Sequence, residues 1–330
     1  MADLSTNYMG FKLRNPIIAG SSGLNKTVEN LIKLEKSGAA AIVLKSLFEE
    51  QIMYQITKAM KHSENTGSYA YPEAEDYIGN YTREKDLGDY LKLIEDGKKA
   101  VSIPVIASIN CLSSSEWISF AKKIEDAGAD GIELNIFILP SDTSRDSEQN
   151  EQVYFDIVME VMRQVSIPVA VKISYYFSSL AKTALKLSWT GIAGMVLFNR
   201  FFSPDIDIDK FEVTSSNVFS SPGELATSLR WVAMLSDKLH CDIAASTGVH
   251  DGEAVVKQLL AGAKAVQVVS TLYKNGFDQI GQMTNFLEGW MDKHKFAKTD
   301  DFIGKLSLKA AENAAAYERV QFMKHFAGIE

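Results

Sequence analysis

Small, conformationally permissive residues alternate with short apolar runs along most of this chain. Four small-residue corners, Gly38-Ala39-Ala40-Ala41, Gly128-Ala129-Asp130-Gly131, Gly191-Ile192-Ala193-Gly194 and Gly262-Ala263-Lys264-Ala265, each lead into an apolar stretch that ends in a polar residue. A second phrase, Val-Ser-Ile-Pro-Val, occurs at 101–105 and again at 165–169 and leads into two further apolar runs. Repetition of a helix, a tight corner and a buried strand is the signature of a wound α/β fold. In such a fold, chemistry sits at the polar ends of the strands.

Strands buried on both faces read as continuous apolar runs. Eight are predicted, at 16–19, 40–45, 104–110, 131–136, 168–174, 194–200, 242–247 and 265–271. Helical patterns with recognisable ends lie between most of them. Ser113 to Glu116 forms a capping box ahead of Ile118, Ala121, Ile124 and Ala127, and Gly128 closes that helix. Pro222 and Glu224 open another, and a third begins at Gly252 or Glu253 and stops at Gly262. The class is therefore α/β, a (β/α)8 TIM barrel forming one domain over 1–330, with a doubly wound open sheet as the weaker alternative. Residues 4–14 alternate around Met9-Gly10-Phe11 and predict an N-terminal hairpin closing the barrel floor. A helical tail is expected from Phe302.

Two connections exceed a simple crossover. Residues 47–101, after strand 2, hold the aromatic and acidic stretch 69–77 before a helix expected from about Leu87; residues 201–221, after strand 6, carry Phe201, Phe202, Phe211 and Phe219. Both insertions start where barrel enzymes build their sites, so they read as a substrate cover or as a packing or dimer surface.

Composition narrows the partners. The 330 residues are 46% hydrophobic and carry a net charge of -8 with dispersed basic residues, which argues against nucleic acid. The N-terminus has no signal pattern and no run approaches the roughly 18 apolar residues of a membrane span, so a cytoplasmic protein away from membranes is expected. Cys111 and Cys241 lack metal or disulfide spacing, and the five histidines show no paired motif, so no metal site is expected.

The strand ends converge on one mouth: Gly20 to Gly23, Lys45 and Ser46, Ser108 and Asn110, Asn135, Lys172, Asn199 and Arg200, Ser246 to Gly248, Ser270 and Thr271. This set is rich in donors and poor in acid/base groups, which suits a planar, acceptor-rich, anionic molecule. The turns at Thr247-Gly248-Val249 and Ser270-Thr271 fit phosphate binding or, equally, a structural turn.

These residues resemble the class 1 dihydroorotate dehydrogenases, a flavin-dependent family, through nearly the whole barrel. The likeness rests on Asn15 to Gly23, Lys45-Ser46, Gly128 to Asn135 with its Glu-Leu-Asn, Val171-Lys172-Ile173-Ser174, Asn199 and Gln267 to Thr271. It implies an FMN-dependent oxidoreductase of pyrimidine biosynthesis, transferring hydride between a dihydroorotate-like ring and FMN, acting on a small planar anion and forming a homodimer. It assigns Ala19, Gly20, Ser46, Asn110, Asn135, Lys172, Gly223, Thr247, Gly248, Ser270 and Thr271 to FMN. Lys45, Asn80, Asn135 and Asn199 fall where the family handles substrate. A Lys172 ammonium beside the flavin would stabilise the charge that develops on reduction; a buried strand-end lysine could instead pair with an acid such as Glu133.

The resemblance breaks where such enzymes carry a Cys or Ser base. This chain reads Asn135-Ile136-Phe137-Ile138-Leu139-Pro140-Ser141-Asp142, apolar at the base position. Oxidation across a C–C bond removes a hydride and a neighbouring proton, so Ser141, Thr143 or Cys111 would have to substitute, with Ser141 and Lys45 as the catalytic candidates. The alternatives are an FMN barrel with another substrate and a non-catalytic barrel that binds an anionic metabolite.

Overall fold

Parallel pairing in this chain closes on itself. The computed structural model describes residues 2–48, 72–110, 114–200, 203–312 and 315–318. Strands β3 (Ile17–Ala19), β4 (Ala41–Val43), β6 (Val105–Asn110), β7 (Gly131–Asn135), β8 (Val169–Ile173), β9 (Gly194–Leu197), β12 (Asp242–Ser246) and β13 (Ala265–Val268) pair in that order, and the short β5 (Leu47–Phe48) pairs with the end of β6. The ring closes through Val266 opposite Ile17. Helices flank the strands, and the whole is the (β/α)8 barrel that the apolar runs predict. Among the described residues no helix is long and apolar enough to cross a membrane.

The strand alternation sets what fills the interior. Ile18, Val43, Ile106, Ala170, Val196, Ala244 and Ala265 point inward and form one cluster with Tyr8, Met9 and Leu13. The alanines among them, Ala170, Ala244 and Ala265, leave room for the N-terminal hairpin, β1 (Thr6–Tyr8) against β2 (Phe11–Leu13), which turns through Met9 and Gly10 at positive φ and plugs the floor. A Cβ on Gly194 would lie 2.9 Å from Met9 and 3.0 Å from the Tyr8 hydroxyl, so glycine is what admits the plug.

The repeated Val-Ser-Ile-Pro-Val phrase is a clamp between neighbouring βα units. Ser166 donates its backbone N–H (2.7 Å) and hydroxyl (2.6 Å) to Glu125, at the end of the helix Ser114–Asp126. Ser102 does the same for Glu35, at the end of the helix Val28–Lys36, at 2.8 and 2.6 Å. Each clamp sits at the amino ends of the strands, opposite the mouth.

Four expectations are corrected. The last strand ends at Val268, and Ser270 and Thr271 instead open a helix, Ser270–Asn275. The helix expected from Leu87 is already formed at Pro72 and runs Pro72–Ala100; proline suits a first turn. The tail after Phe302 proceeds through turns, with Gly304 at φ 78, before the short helix Ala315–Glu318. The insertion after β9 carries an antiparallel hairpin, β10 (Pro204–Asp207) and β11 (Glu212–Ser215), that its polar sequence hid. Cys111, Phe201, Phe202 and residues 69–71 lie outside the described residues.

Candidate active site

A cavity of about 450 Å³ opens at the carboxyl ends of β3, β8, β9, β12 and β13. Its floor is built by the inward positions one layer above the alanines. Lys172, Glu133 and Gln267, only 6%, 1% and 2% exposed, meet there. The Lys172 ammonium donates to Gln267 Oε1 at 3.0 Å, and Gln267 Nε2 donates to Glu133 Oε2. Lys172 Nζ and Glu133 Oε1 stand 3.9 Å apart. Lys172 and Gln267 face the cavity.

Three loops form one wall. Thr247 and Gly248 both take the left-handed backbone, φ 74 and 80, and a Cβ on Gly248 would lie 2.2 Å from Leu225 N, where the helix Leu225–Leu235 begins. Ser220 N donates to Ser270 Oγ at 3.0 Å, and Thr271 Oγ1 donates to His250 O at 3.0 Å. Ser220 Oγ and His250 Nε2 share a hydrogen bond of 3.0 Å. Burial, with the Lys274 charge nearby, holds the His250 imidazole below its usual pKa. Ser220, Thr247, Gly248 and Ser270 thus reach one rim of the cavity.

A polar relay supports the opposite side. Ser46 Oγ contacts Ser108 Oγ at 2.7 Å and Ser21 Oγ at 3.1 Å, and Ser108 N donates to the Tyr90 hydroxyl at 2.8 Å. Asn25, fully buried, donates to the carbonyls of Gly20 and Val43 at 2.8 and 2.7 Å, fixing the turn after β3. Asn199 Nδ2 donates to Asn135 Oδ1 at 2.8 Å. Arg200 is anchored by Glu224 at 3.0 Å and by the carbonyls of Asn217 and Val218.

The structure therefore gathers Lys172, Asn199, Thr247, Gly248 and Ser270 around the cavity, with Asn135 and Ser46 one hydrogen bond behind it. Ala19 ends β3 and Gly20 follows it, and Thr271 is buried near this wall. Asn110 ends β6 and Lys45 follows the end of β4; Gly223 lies on the exposed turn Pro222–Glu224, off the lining. Ser141 is exposed on the loop after β7 and also lies off the lining, and the Asn80 side chain is outside the described residues. Sequence reasoning assigned no role to Gln267, although a glutamine inside the apolar run Ala265-Val266-Gln267-Val268 is itself the signal of a buried polar contact. Asn25 left no comparable mark.

A closed parallel barrel with a donor-lined cavity at its carboxyl-terminal mouth defines an enzyme that acts on a small molecule. Residues 70–291 match the family described as Dihydroorotate dehydrogenase, and the chain belongs to that family, oxidoreductases acting on a CH–CH bond. It is 27% identical to the dihydroorotate dehydrogenase B (NAD(+)) catalytic subunit of Thermoplasma volcanium, over 92% of this chain and 98% of the relative. The protein of the same name from Pyrococcus abyssi is also 27% identical, over 93% and 99%. That of Methanocaldococcus jannaschii is 26% identical, over 83% and 89%.

Proposed function

We propose that the protein holds one FMN across the barrel mouth and transfers hydride between that flavin and a dihydroorotate-like ring. The observation that carries this reading is Lys172, a buried cation at the floor of a donor-lined cavity whose far rim is closed by three tied loops. The donor set fits the cofactor. Lys172 would face the acceptor edge of the ring, and the turns at 220, 247–249 and 270 would face the phosphate. The volume lies within the roughly 300–1,000 Å³ of small-molecule sites. FMN, when bound, supplies the hydride acceptor. The chain supplies orientation, through the Asn135–Asn199 pair and Lys45, and a fixed positive charge where negative charge develops.

The proton is the open half of the reaction. Phe137 and Leu139, 41% and 53% exposed, occupy the loop where a base would stand, and Ser141 points to solvent on it. That apolar loop favours a second reading, the same flavin barrel acting on a ring whose proton comes from elsewhere. The protein would serve pyrimidine biosynthesis in the cytoplasm under the first reading. A homodimer is supported by the exposed apolar side chains of the β10–β11 hairpin, Ile206, Ile208, Phe211 and Val213.

The test is direct. Purified protein should be yellow with one FMN per chain, and Lys172→Ala should weaken flavin retention or slow its reduction by roughly 2–4 kcal/mol. Dihydroorotate should be turned over about 10² to 10⁴-fold more slowly than with a placed base. Colourless protein that takes up no FMN refutes the proposal. Fast turnover with a well-defined base in the pH profile refutes the reading of the loop, and single substitutions at Ser141, Thr143 and Cys111 would then locate the base.

A further inference from the structure

The floor of the mouth contains a frustrated ion pair. Glu133 Oε1 is buried and has no hydrogen-bond partner among the described residues. A natural partner, the Lys172 ammonium, stands 3.9 Å away, outside hydrogen-bond reach. Leaving a buried carboxylate oxygen unsatisfied is costly, and a lysine side chain is flexible enough to close the gap. What stands between them is Gln267. Its carbonyl takes one ammonium proton at 3.0 Å while its amide donates to the other carboxylate oxygen. An ammonium has three protons, and this is its one hydrogen bond among the described residues.

We infer that Gln267 is a positioning residue that holds Lys172 off Glu133, so that the ammonium keeps its remaining protons and its charge for a ligand in the cavity. Glu133 serves as the counter-ion that makes the buried lysine tolerable and moderates the field it projects. A direct salt bridge would satisfy both groups and withdraw the cation from the mouth. The amide spacer prevents this because its oxygen and its nitrogen each face the group they can bond, and Gln267 cannot turn over without setting donor against donor. The inference rests on the proposed FMN site, where the charge so preserved would meet the N1–C2 carbonyl edge of the ring.

Sulfite reads that charge without turnover. Its sulfur lone pair forms a bond to N5 of oxidised flavin, both bonding electrons come from sulfite, and the negative charge is left on the N1–C2 edge. With purified holoprotein, Gln267→Met should let Lys172 fall onto Glu133 and raise the sulfite dissociation constant by about 10-fold, with FMN still bound; a tenfold change corresponds to about 1.4 kcal/mol. Glu133→Gln should lower the constant, because the moderating charge is gone. Glu133→Gln combined with Gln267→Met should restore sulfite binding to the wild-type level or better, since nothing remains for the lysine to collapse upon. A merely structural role for Gln267 predicts no rescue. An unchanged constant in Gln267→Met, or a double variant as weak as Gln267→Met, overturns the inference. If Gln267→Met does not fold, Glu133→Gln decides alone: tighter sulfite binding supports the assignment, and equal or weaker binding overturns it. Wild-type protein that takes up no FMN refutes the underlying reading instead, and is recognised before any variant is made.

Discussion

Glu125→Gln should uncouple two βα units without touching the mouth. The carboxylate accepts three hydrogen bonds from the 165–169 phrase: the Ser166 hydroxyl at 2.6 Å, its N–H at 2.7 Å and the Ile167 N–H at 3.2 Å, with Lys122 at 2.9 Å beside it. The Ser166 hydroxyl first, then Lys122 and the Ser166 N–H, pull its pKa down to about 2. Taken at face value, a displacement of that size from an ordinary 4.5 amounts to about 3 kcal/mol. The Lys122 partner is 52% exposed, so solvent screens that part of the shift and about 1–2 kcal/mol is expected. Glutamine keeps a carbonyl acceptor for the Ser166 side, while it removes the charge and the oxygen that accepts from Lys122. Because the folded pKa is depressed, the contribution is present above pH 4.5 and is lost as pH falls toward 2. Urea unfolding at pH 7 should show a lower midpoint at unchanged slope, and the gap between wild type and variant should narrow at pH 4 and further at pH 3. A gap that is absent at pH 7, or constant across that range, would refute the clamp.

Two further outcomes follow from the loops around the cavity. Gly248→Ala forces a Cβ to within 2.2 Å of the Leu225 backbone at φ 80, so it should cost about 3 kcal/mol or more in denaturant unfolding; a loss below about 1 kcal/mol would mean the turn moves freely. His250 has a folded pKa depressed by burial and then by Lys274, so the unfolded chain binds its proton first and stability should fall as pH drops below about 6.5; His250→Asn should flatten that slope, and an unchanged slope would discount the burial of the imidazole as its cause.

Periodicity made the barrel legible because its strands are buried on both faces and its helices end at glycine or begin at caps. Gly262, at φ 116 after the helix Gly252–Ala261, is a stop that sequence alone can read. The β10–β11 hairpin was not legible, since its strands are short, charged and exposed and rest on pairing rather than burial. The end of β13 was misread because Val269, Ser270 and Thr271 continue a strand-like composition into a helix. At the site, the donor types and their order along the chain could be read, but their bonding could not. Lys172 was framed as either a ligand group or a partner of Glu133, and the structure shows it lining the cavity while Gln267 mediates its contact with the acid. Nothing in a one-dimensional pattern reveals a third side chain arriving from the far side of the ring.

The loop after β7 is held by local hydrogen bonds and carries exposed side chains. Ile138 N donates to the Tyr154 hydroxyl at 3.2 Å, and the Asp146–Gln149 box caps the next helix, while Phe137, Leu139 and Ser141 protrude. The clamps that fasten neighbouring units lie at the other end of the strands. Residues 136–142 therefore lie away from the clamps that tie the units together: under the proposed function, the segment that would handle the proton could be rewritten on a scaffold whose integrity is decided elsewhere. Under that reading, reaction type and folding would be separately heritable in this chain.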